Sequence, residues 1–228
     1  YNEEVGLGVP GHFRLKTIGF PQAPLVPTSR PLGTLVHFSD LHVPGDSGRL
    51  TEEGVWNDLF LTTLVGRMKE IRDARDDAVV SGDITDTGEQ TAWKAVRNAM
   101  QEFDGDVVIA PGNHDLNIVG YGTWSLAFVG DKADWSGRWN RMTEYMSAAC
   151  DLMGPRATVW CDGGMVDLAQ AWGAIESADR SNNARFRETE SLFPLIVSAP
   201  RMAGARFVVW NTVRSSSLAF NNSFGEVG

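Results

Sequence analysis

Three short apolar runs in the first half of the chain predict buried β-strands. They cover residues 34–38, 78–80 and 107–110, are rich in β-branched residues and end abruptly in polar residues. Between them, apolar residues recur every three or four positions, a spacing typical of amphipathic helices: Trp56, Phe60, Leu64, Met68 and Ile71 in the first segment, and Ala92, Val96, Ala99, Met100 and Phe103 in the second. The alternation of strand and helix predicts right-handed crossovers and a largely parallel sheet with helices against it.

The rest of the chain has a less regular pattern. Residues 1–33 carry five prolines and scattered glycines, which disfavour helix and strand and predict an irregular N-terminal arm. The remaining residues, 34–228, are predicted to form the domain, with a Trp-rich insertion at about 117–204 that either shapes a substrate pocket or packs as a cap. The spacing in the insertion predicts one helix over 142–152, and the run 206–210 predicts a further strand.

Composition and charge exclude several classes of protein. The chain has 228 residues, 43% of them hydrophobic, which suits one compact domain. It has no apolar run near the roughly 20 residues that span a bilayer, and no signal-peptide pattern, so we expect a soluble, cytoplasmic protein.

It begins with Tyr1 rather than Met, and we expect its natural beginning to be missing. A net charge of -9 disfavours long nucleic acids as substrates, and two cysteines are too few for a disulfide scaffold and predict reduced thiols.

A cluster of metal-ligating residue types follows each of the three predicted strands. Because the carboxyl ends of parallel strands lie at one edge of a sheet, the clusters are expected to converge there. Carboxylate, imidazole and amide oxygen are ligands that Zn, Fe or Mn accept, and glycines let the backbone turn tightly beside them. In the alternative interpretation the aspartates cap helices and the histidines fill the core, which requires three patterns to arise by chance. The clusters are Ser39-Asp40-Leu41-His42, Ser81-Gly82-Asp83-Ile84-Thr85-Asp86 and Pro111-Gly112-Asn113-His114-Asp115.

These clusters resemble the first three motifs of the calcineurin-like metallophosphoesterases: Asp40-x-His42, Gly82-Asp83-x-x-Asp86 and Gly112-Asn113-His114-Asp115. The resemblance covers residues 34–116. It implies an α/β fold, the metallophosphoesterase-like α/β sandwich with central β-sheets flanked by helices. It also implies a metal-dependent phosphoric ester hydrolase, either phosphatase or phosphodiesterase, with a dinuclear metal centre and a metal-bridging hydroxide as nucleophile.

The same resemblance implies a set of metal ligands. Asp40 and His42 would bind the first ion, Asp83 would bridge the two ions, and Asn113 would bind the second. The cofactors implied are two divalent or transition metal ions, namely Mn, Fe, Zn or Mg.

Three further residues are implied to act beside the metals. His114 is the implied general acid that protonates the leaving oxygen. Asp86 and Asp115 are implied to support the site from outside the ligand set, Asp86 by fixing a loop and Asp115 by orienting His114.

The later motifs of the family, a single His and a Gly-His-x-His, have no counterpart here. Only His12, His37, His42 and His114 occur in the chain, and His12 and His37 are expected to be structural. We therefore expect a fold truncated at its C-terminal end, weak or absent hydrolysis by this chain alone, and a second segment or chain that completes the site. The alternative function is a non-catalytic or incomplete family member that acts as a binding or scaffold domain.

The substrate is expected to be a small phosphate ester. The acidic composition and the tryptophans favour a nucleotide-like ester whose base stacks on Trp, although tryptophan is more often a core residue.

Overall fold

The computed structural model describes residues 35–45, 77–103, 105–116, 135–161, 163–199 and 205–213, together with residues 63 and 66. The described residues form a mixed α/β fold with a parallel and an antiparallel sheet flanked by helices, which confirms the predicted fold class. In chain order the elements are β1 Leu35–Ser39, β2 Asp77–Ser81, α1 Gln90–Met100, β3 Val107–Ala110, α2 Asn113–Leu116, α3 Trp135–Met153, a 3₁₀ turn Gly154–Arg156, β4 Ala157–Cys161, β5 Gly164–Asp167, α4 Leu168–Glu176, α5 Asn182–Glu190, β6 Leu195–Ala199 and β7 Ala205–Val209.

The first three strands form a parallel sheet in the order β1-β2-β3, as predicted. Val80 of β2 pairs with Phe38 of β1 and Ile109 of β3, so the three carboxyl ends lie side by side. The predicted second helix is confirmed as α1, which buries Trp93 and Val96 with the rest of its apolar face. The predicted helix around residues 56–71 lies outside the described residues except for positions 63 and 66, both helical, and the arm of residues 1–33 lies outside them entirely.

Helix α3 is the centre of the core and confirms the helix predicted over 142–152. Met142, Tyr145 and Met146 on one of its faces are fully buried, because i, i+3 and i+4 positions line the same side. This face packs against α1 and β3, and the Tyr145 hydroxyl donates to the Ile109 carbonyl at 3.3 Å. The parallel sheet therefore contacts α3 through β3, and α1 packs on α3.

The last four strands form an antiparallel sheet in the order β5-β4-β6-β7. β7 confirms the strand predicted at 206–210, while β4, β5 and β6 lie in the range predicted as an insertion, where no strand was expected. The predicted bounds of the arm and of the domain, 1–33 and 34–228, stay predictions. Arg156 joins the two sheets: its guanidinium donates to the Val107 carbonyl of β3 at 3.0 Å and to the Ser198 carbonyl of β6 at 3.4 Å.

One face of the antiparallel sheet is exposed and partly apolar. Trp160 pairs with Met165 across β4 and β5, and their side chains are 63% and 44% exposed. Val208 of β7, 52% exposed, lies on the same side. It pairs with Ile196, which pairs with Thr158, and Thr158 and Trp160 are two residues apart in β4 and so lie on one face. Trp139 and Trp172, in contrast, lie buried against each other with ring centroids 5.4 Å apart, so they serve packing.

Among the described helices none is both long and apolar enough to cross a membrane. Cys150 and Cys161 are both free thiols, as predicted.

Candidate metal centre

The loops after β1 and β2 run side by side and continue the strand pairing beyond the strand ends. The backbone N–H of Asp40 donates to the Gly82 carbonyl at 3.1 Å, and that of His42 to the Asp83 carbonyl at 2.9 Å. In return, the N–H of Asp86 donates to the Val43 carbonyl at 3.1 Å. The first two predicted motifs are thus locked together by the main chain.

Three residues of these loops have a left-handed backbone that side chains rarely adopt. The φ angles are 53° at Asp40, 45° at His42 and 46° at Asp83. A non-glycine residue in this region costs on the order of 1 kcal/mol and persists only where the surrounding structure enforces it. All three are predicted metal ligands, so the strain is concentrated on the residues that must aim their side chains at one point.

Asp40, His42 and Asp83 bring their side chains together. Each contributes one potential ligand atom, and these atoms lie within 4.8 Å of one another. Two carboxylates and an imidazole form a donor set that divalent Zn, Mn and Fe accept. Atoms bound to one ion at about 2.1 Å are about 3–4 Å apart, so the group requires only a small contraction to bind a metal.

Gly112 forms a close support for Asp83. A Cβ atom at position 112 would collide with the backbone nitrogen and the Oδ1 atom of Asp83, so only glycine fits. The loop after β3 therefore packs directly on the predicted bridging carboxylate. The Oδ1 atom of Asp83 also accepts a hydrogen bond from the His114 backbone N–H at 2.9 Å, which fixes one of its oxygens.

His42, Asp86 and His114 form a second group whose potential ligand atoms also lie within 4.8 Å of one another. The two imidazole rings meet edge to face, with centroids 4.5 Å apart. The Nδ1 atom of each histidine lies 3.7 Å from Asp86 Oδ1. His114 Nδ1 is also 2.9 Å from the Asp86 backbone carbonyl, which can only accept, so Nδ1 carries the proton of that hydrogen bond.

Asp115 is fully buried and joins the third motif to the second. Its carboxylate accepts hydrogen bonds from the backbone N–H groups of Ile84, Thr85 and Gly112 at 3.1, 2.8 and 2.9 Å, and from the Thr85 hydroxyl at 2.8 Å. Burial raises the pKa of this carboxyl to about 6, although the hydrogen bonds that it accepts lower it. At pH 7.5 it is therefore mostly ionised and serves as a four-fold acceptor.

The two supporting aspartates make different contacts. Asp115 accepts hydrogen bonds from the loop after β2, and the backbone carbonyl of Asp86 accepts the hydrogen bond from His114 Nδ1. The roles implied for Asp86 and Asp115 stay predictions. Sequence analysis also missed Thr85, whose hydroxyl donates to Asp115 and accepts from the Gly88 N–H at 3.0 Å. Its position between Asp83 and Asp86, two predicted site residues, was the feature of the sequence that could have identified Thr85.

Asn113 and His37 complete the set of predicted residues. Asn113 is the first residue of α2 and partly buried, so it lies at the same sheet edge, directly before His114. His37 lies on the exposed side of β1, and its Nε2 atom makes a 2.6 Å hydrogen bond with the Ser81 hydroxyl. It does not belong to either of the ligand groups found among the described residues.

The residues fit a bound cation. His42 Nδ1 is buried and has no hydrogen-bond partner within the described structure, since Asp86 Oδ1 at 3.7 Å is beyond hydrogen-bond range. A buried polar atom without a partner is costly, and a bound metal ion would relieve that cost. The donor types, the strained ligand positions and the glycine packing all agree with a metal centre.

The sequence model of one protein family, described as calcineurin-like phosphoesterase, matches residues 33–198. In a search of curated proteins, none matches the chain.

Proposed function

Because the chain belongs to the calcineurin-like phosphoesterase family, we propose that it hydrolyses a small phosphate ester at a centre of two divalent metal ions. The observation that carries this proposal is the convergence of Asp40, His42 and Asp83, each with a left-handed backbone, at the carboxyl edge of the parallel sheet. Strained polar residues at such an edge mark functional sites more often than structural ones.

Asp40, His42 and Asp83 would hold one ion, and Asp83 and Asn113 would hold the other. The ions would be Mn, Fe, Zn or Mg, since carboxylate, imidazole and amide oxygen suit all four to differing degrees. When bound, two such ions lower the pKa of a water molecule and neutralise charge on the phosphoryl oxygens. A carboxylate at position 83 is suited to bridging because it offers two oxygens and a negative charge between two cations.

His114 would protonate the leaving oxygen of the ester. The Asp86 carbonyl supports this role because it accepts the Nδ1 hydrogen bond and fixes the ring, leaving Nε2 as the nitrogen able to act on substrate. The Asp83 carboxylate accepts from the His114 N–H and so positions α2 beside the proposed metals. Asp115 acts indirectly, by holding the loops in place.

A second ion with only Asp83 and Asn113 from this chain would be weakly held. We propose that a further polypeptide segment supplies the missing imidazole, because the two other histidines are His12 and His37 and the latter is engaged with Ser81. We also propose a cytoplasmic location, which the two free thiols support.

The alternative proposal is a non-catalytic family member that binds a partner. The exposed Trp160, Met165 and Val208 on one sheet face favour it, since such a face suits protein contact.

Metal content and hydrolysis together separate the two proposals. The protein would be incubated with Mn²⁺, dialysed, analysed for bound metal, and assayed with bis(p-nitrophenyl) phosphate and p-nitrophenyl phosphate. We expect metal bound to this chain, release of p-nitrophenol from at least one ester once the completing segment is present, and loss of both after EDTA treatment. Bound metal without hydrolysis, in protein that includes the completing segment, would favour the binding domain. Absence of bound metal would contradict the enzyme outright.

Replacing His114 by Gln tests the general acid. The rate for an alkyl ester, whose leaving group needs a proton, should fall by about 100-fold, whereas the rate for a p-nitrophenyl ester should fall by less than about tenfold. The same replacement at His37, an exposed histidine of β1, is the matched control and should leave both rates unchanged. Equal losses for the two esters at position 114 would assign His114 to binding rather than to proton transfer.

A further inference from the structure

The exposed face of the antiparallel sheet carries a contiguous group of apolar side chains. Trp160, Met165 and Val208 are joined there by Trp210, which directly follows β7 and is 48% exposed. Half-buried Ile196 lies between Val208 and the strand of Trp160, because β6 pairs with both β7 and β4. Contiguous exposed apolar side chains mark interaction sites, whereas single ones need no explanation. We call this surface the exposed sheet face.

The strand register places two tryptophans in one row of the exposed sheet face. β4 and β7 each run antiparallel to β6 and so run in the same direction. Thr158 of β4 and Val208 of β7 both pair with Ile196. Two residues further along their strands, Trp160 and Trp210 therefore lie in the next row, about 10 Å apart across two strand spacings.

Opposite charges stand at the two edges of the exposed sheet face. Asp167 lies on the edge strand β5, two residues after Met165, and it caps α4 through Oδ1 alone, which leaves its other oxygen for a partner. Arg206 lies on the other edge strand, β7, two residues before Val208. Its side chain is exposed, and within the described structure its guanidinium has no ion pair. Among the residues of β4, β5, β6 and β7, these two are the charged ones.

This distribution of charge is complementary to itself. A strongly acidic or strongly basic partner would be attracted at one edge and repelled at the other. A second copy of the same face, turned by 180°, presents its cationic edge to the anionic edge of the first. The net charge of -9 opposes self-association, but at physiological ionic strength salt screens charges that are more than about 8 Å apart.

We propose that the exposed sheet face binds a second copy of this chain in a symmetric dimer. The two-fold axis runs along the strands, so that β5 of each copy lies over β7 of the other, in agreement with the small angle between the strands of stacked sheets. Asp167 then faces the strand that carries Arg206 in the other copy. Met165 faces Trp210 of the other copy, a favourable contact of sulfur with an aromatic ring. The dimer does not depend on the metal centre, so the inference goes beyond the proposed function and applies to an enzyme and to a binding domain alike.

The size of the exposed sheet face sets the expected affinity. It consists of four strands of four or five residues each. With strand spacings of about 4.8 Å and a rise of about 3.3 Å per residue, the face measures roughly 15 by 17 Å, and a dimer would bury on the order of 1,000 Å² in total. This area is at the low end of specific interfaces, so we expect a dissociation constant of about 10–100 µM.

Sedimentation equilibrium of this chain at about 1–500 µM, in about 150 mM NaCl with EDTA, measures the dissociation constant without association through metal ions. We expect Trp160→Gln and Arg206→Glu each to raise it at least about tenfold. The first removes a large apolar contact, and the second places like charges together at two positions of the dimer. Lys94→Glu, the same reversal of charge at an exposed position of α1, is the matched control and should leave the constant unchanged.

A mixture of two charge variants tests the symmetry of the dimer. In Arg206→Glu alone and in Asp167→Lys alone, both charge contacts of the dimer become repulsive. In the mixed dimer both contacts again join opposite charges, so an equimolar mixture should recover the wild-type dissociation constant within about threefold. Far-UV circular dichroism checks that both variants fold.

Three outcomes would overturn the proposal. Wild-type protein that stays monomeric at about 500 µM would leave the exposed sheet face to a different protein, such as the segment proposed to complete the metal centre. Dimers that are equally strong in wild type, Trp160→Gln and Arg206→Glu would place the contact on another surface. Folded charge variants that do not associate when mixed would contradict the symmetric pairing of Asp167 with Arg206.

Discussion

Replacing Asp83 by Asn is expected to abolish metal binding by this chain and to lower phosphate ester hydrolysis at least about 100-fold, since loss even of indirect supports of metal ligands costs 10–100-fold. The negative charge at position 83 is the one that both proposed ions share, and a neutral amide cannot replace it. Metal content measured after Mn²⁺ loading is the primary readout, and it does not depend on an active enzyme.

Asparagine is the informative replacement at this position for a structural reason. Asp83 has a φ of 46°, and Asn adopts this left-handed conformation more readily than Ala does. The amide oxygen can still accept the hydrogen bond that the His114 N–H donates to Asp83 Oδ1. Asp179→Asn, at an exposed position, is the control and should keep both metal and activity. An Asp83→Asn protein that retains metal at the wild-type level would remove Asp83 from the ligand set.

The strands that carry the site could be predicted because their apolar runs are short, continuous and followed by polar residues. A parallel sheet buried against helices requires such runs, and the order of strands in the chain then places three polar clusters at one edge. The register that aligns Ser39, Ser81 and Ala110 follows from this geometry. The convergence of Asp40, His42 and Asp83 could therefore be predicted from the sequence.

The partners of Asp86 and Asp115 could not be predicted from adjacency. Asp115 follows His114 directly, but successive residues of a helix point about 100° apart, so within α2 the two side chains diverge. Asp115 points into the core, where it meets Thr85, and His114 turns towards the Asp86 carbonyl, 28 residues earlier in the chain. Only the packing of the loops on one another decides such contacts.

The antiparallel sheet was missed for a different reason. β5 has only four residues, Gly164–Asp167, and β4 ends in the exposed Trp160 and the half-buried Cys161, so neither shows a clear alternation of apolar and polar positions. One side of this sheet is exposed and still bears Trp160 and Met165, which removes the periodic signal that marks a half-buried strand.

Replacing Asp115 by Ala is expected to destabilise the fold by about 3–5 kcal/mol, an effect in the range of a broken buried network. The Asp115 carboxylate accepts from three backbone N–H groups and one hydroxyl in a fully buried place, and alanine leaves these donors without an acceptor. Each unsatisfied donor destabilises the folded protein by roughly 1–3 kcal/mol. Removal of a buried charge is favourable and offsets part of this loss of stability. Urea unfolding in the presence of EDTA measures the difference without a contribution from metal binding.

Asp167→Ala is the matched comparison, because Asp167 is also a carboxylate that accepts from backbone N–H groups, those of Ala169 and Gln170 at the start of α4. That cap is reached by water, so its loss should cost only about 1 kcal/mol. The contrast isolates burial as the cause. If the two variants lose equal stability, the network around Asp115 does not hold the loops of the metal centre together. A large loss at Asp115 alone means that the loops bearing Asp83 and Asn113 depend on a residue that need not touch the metal.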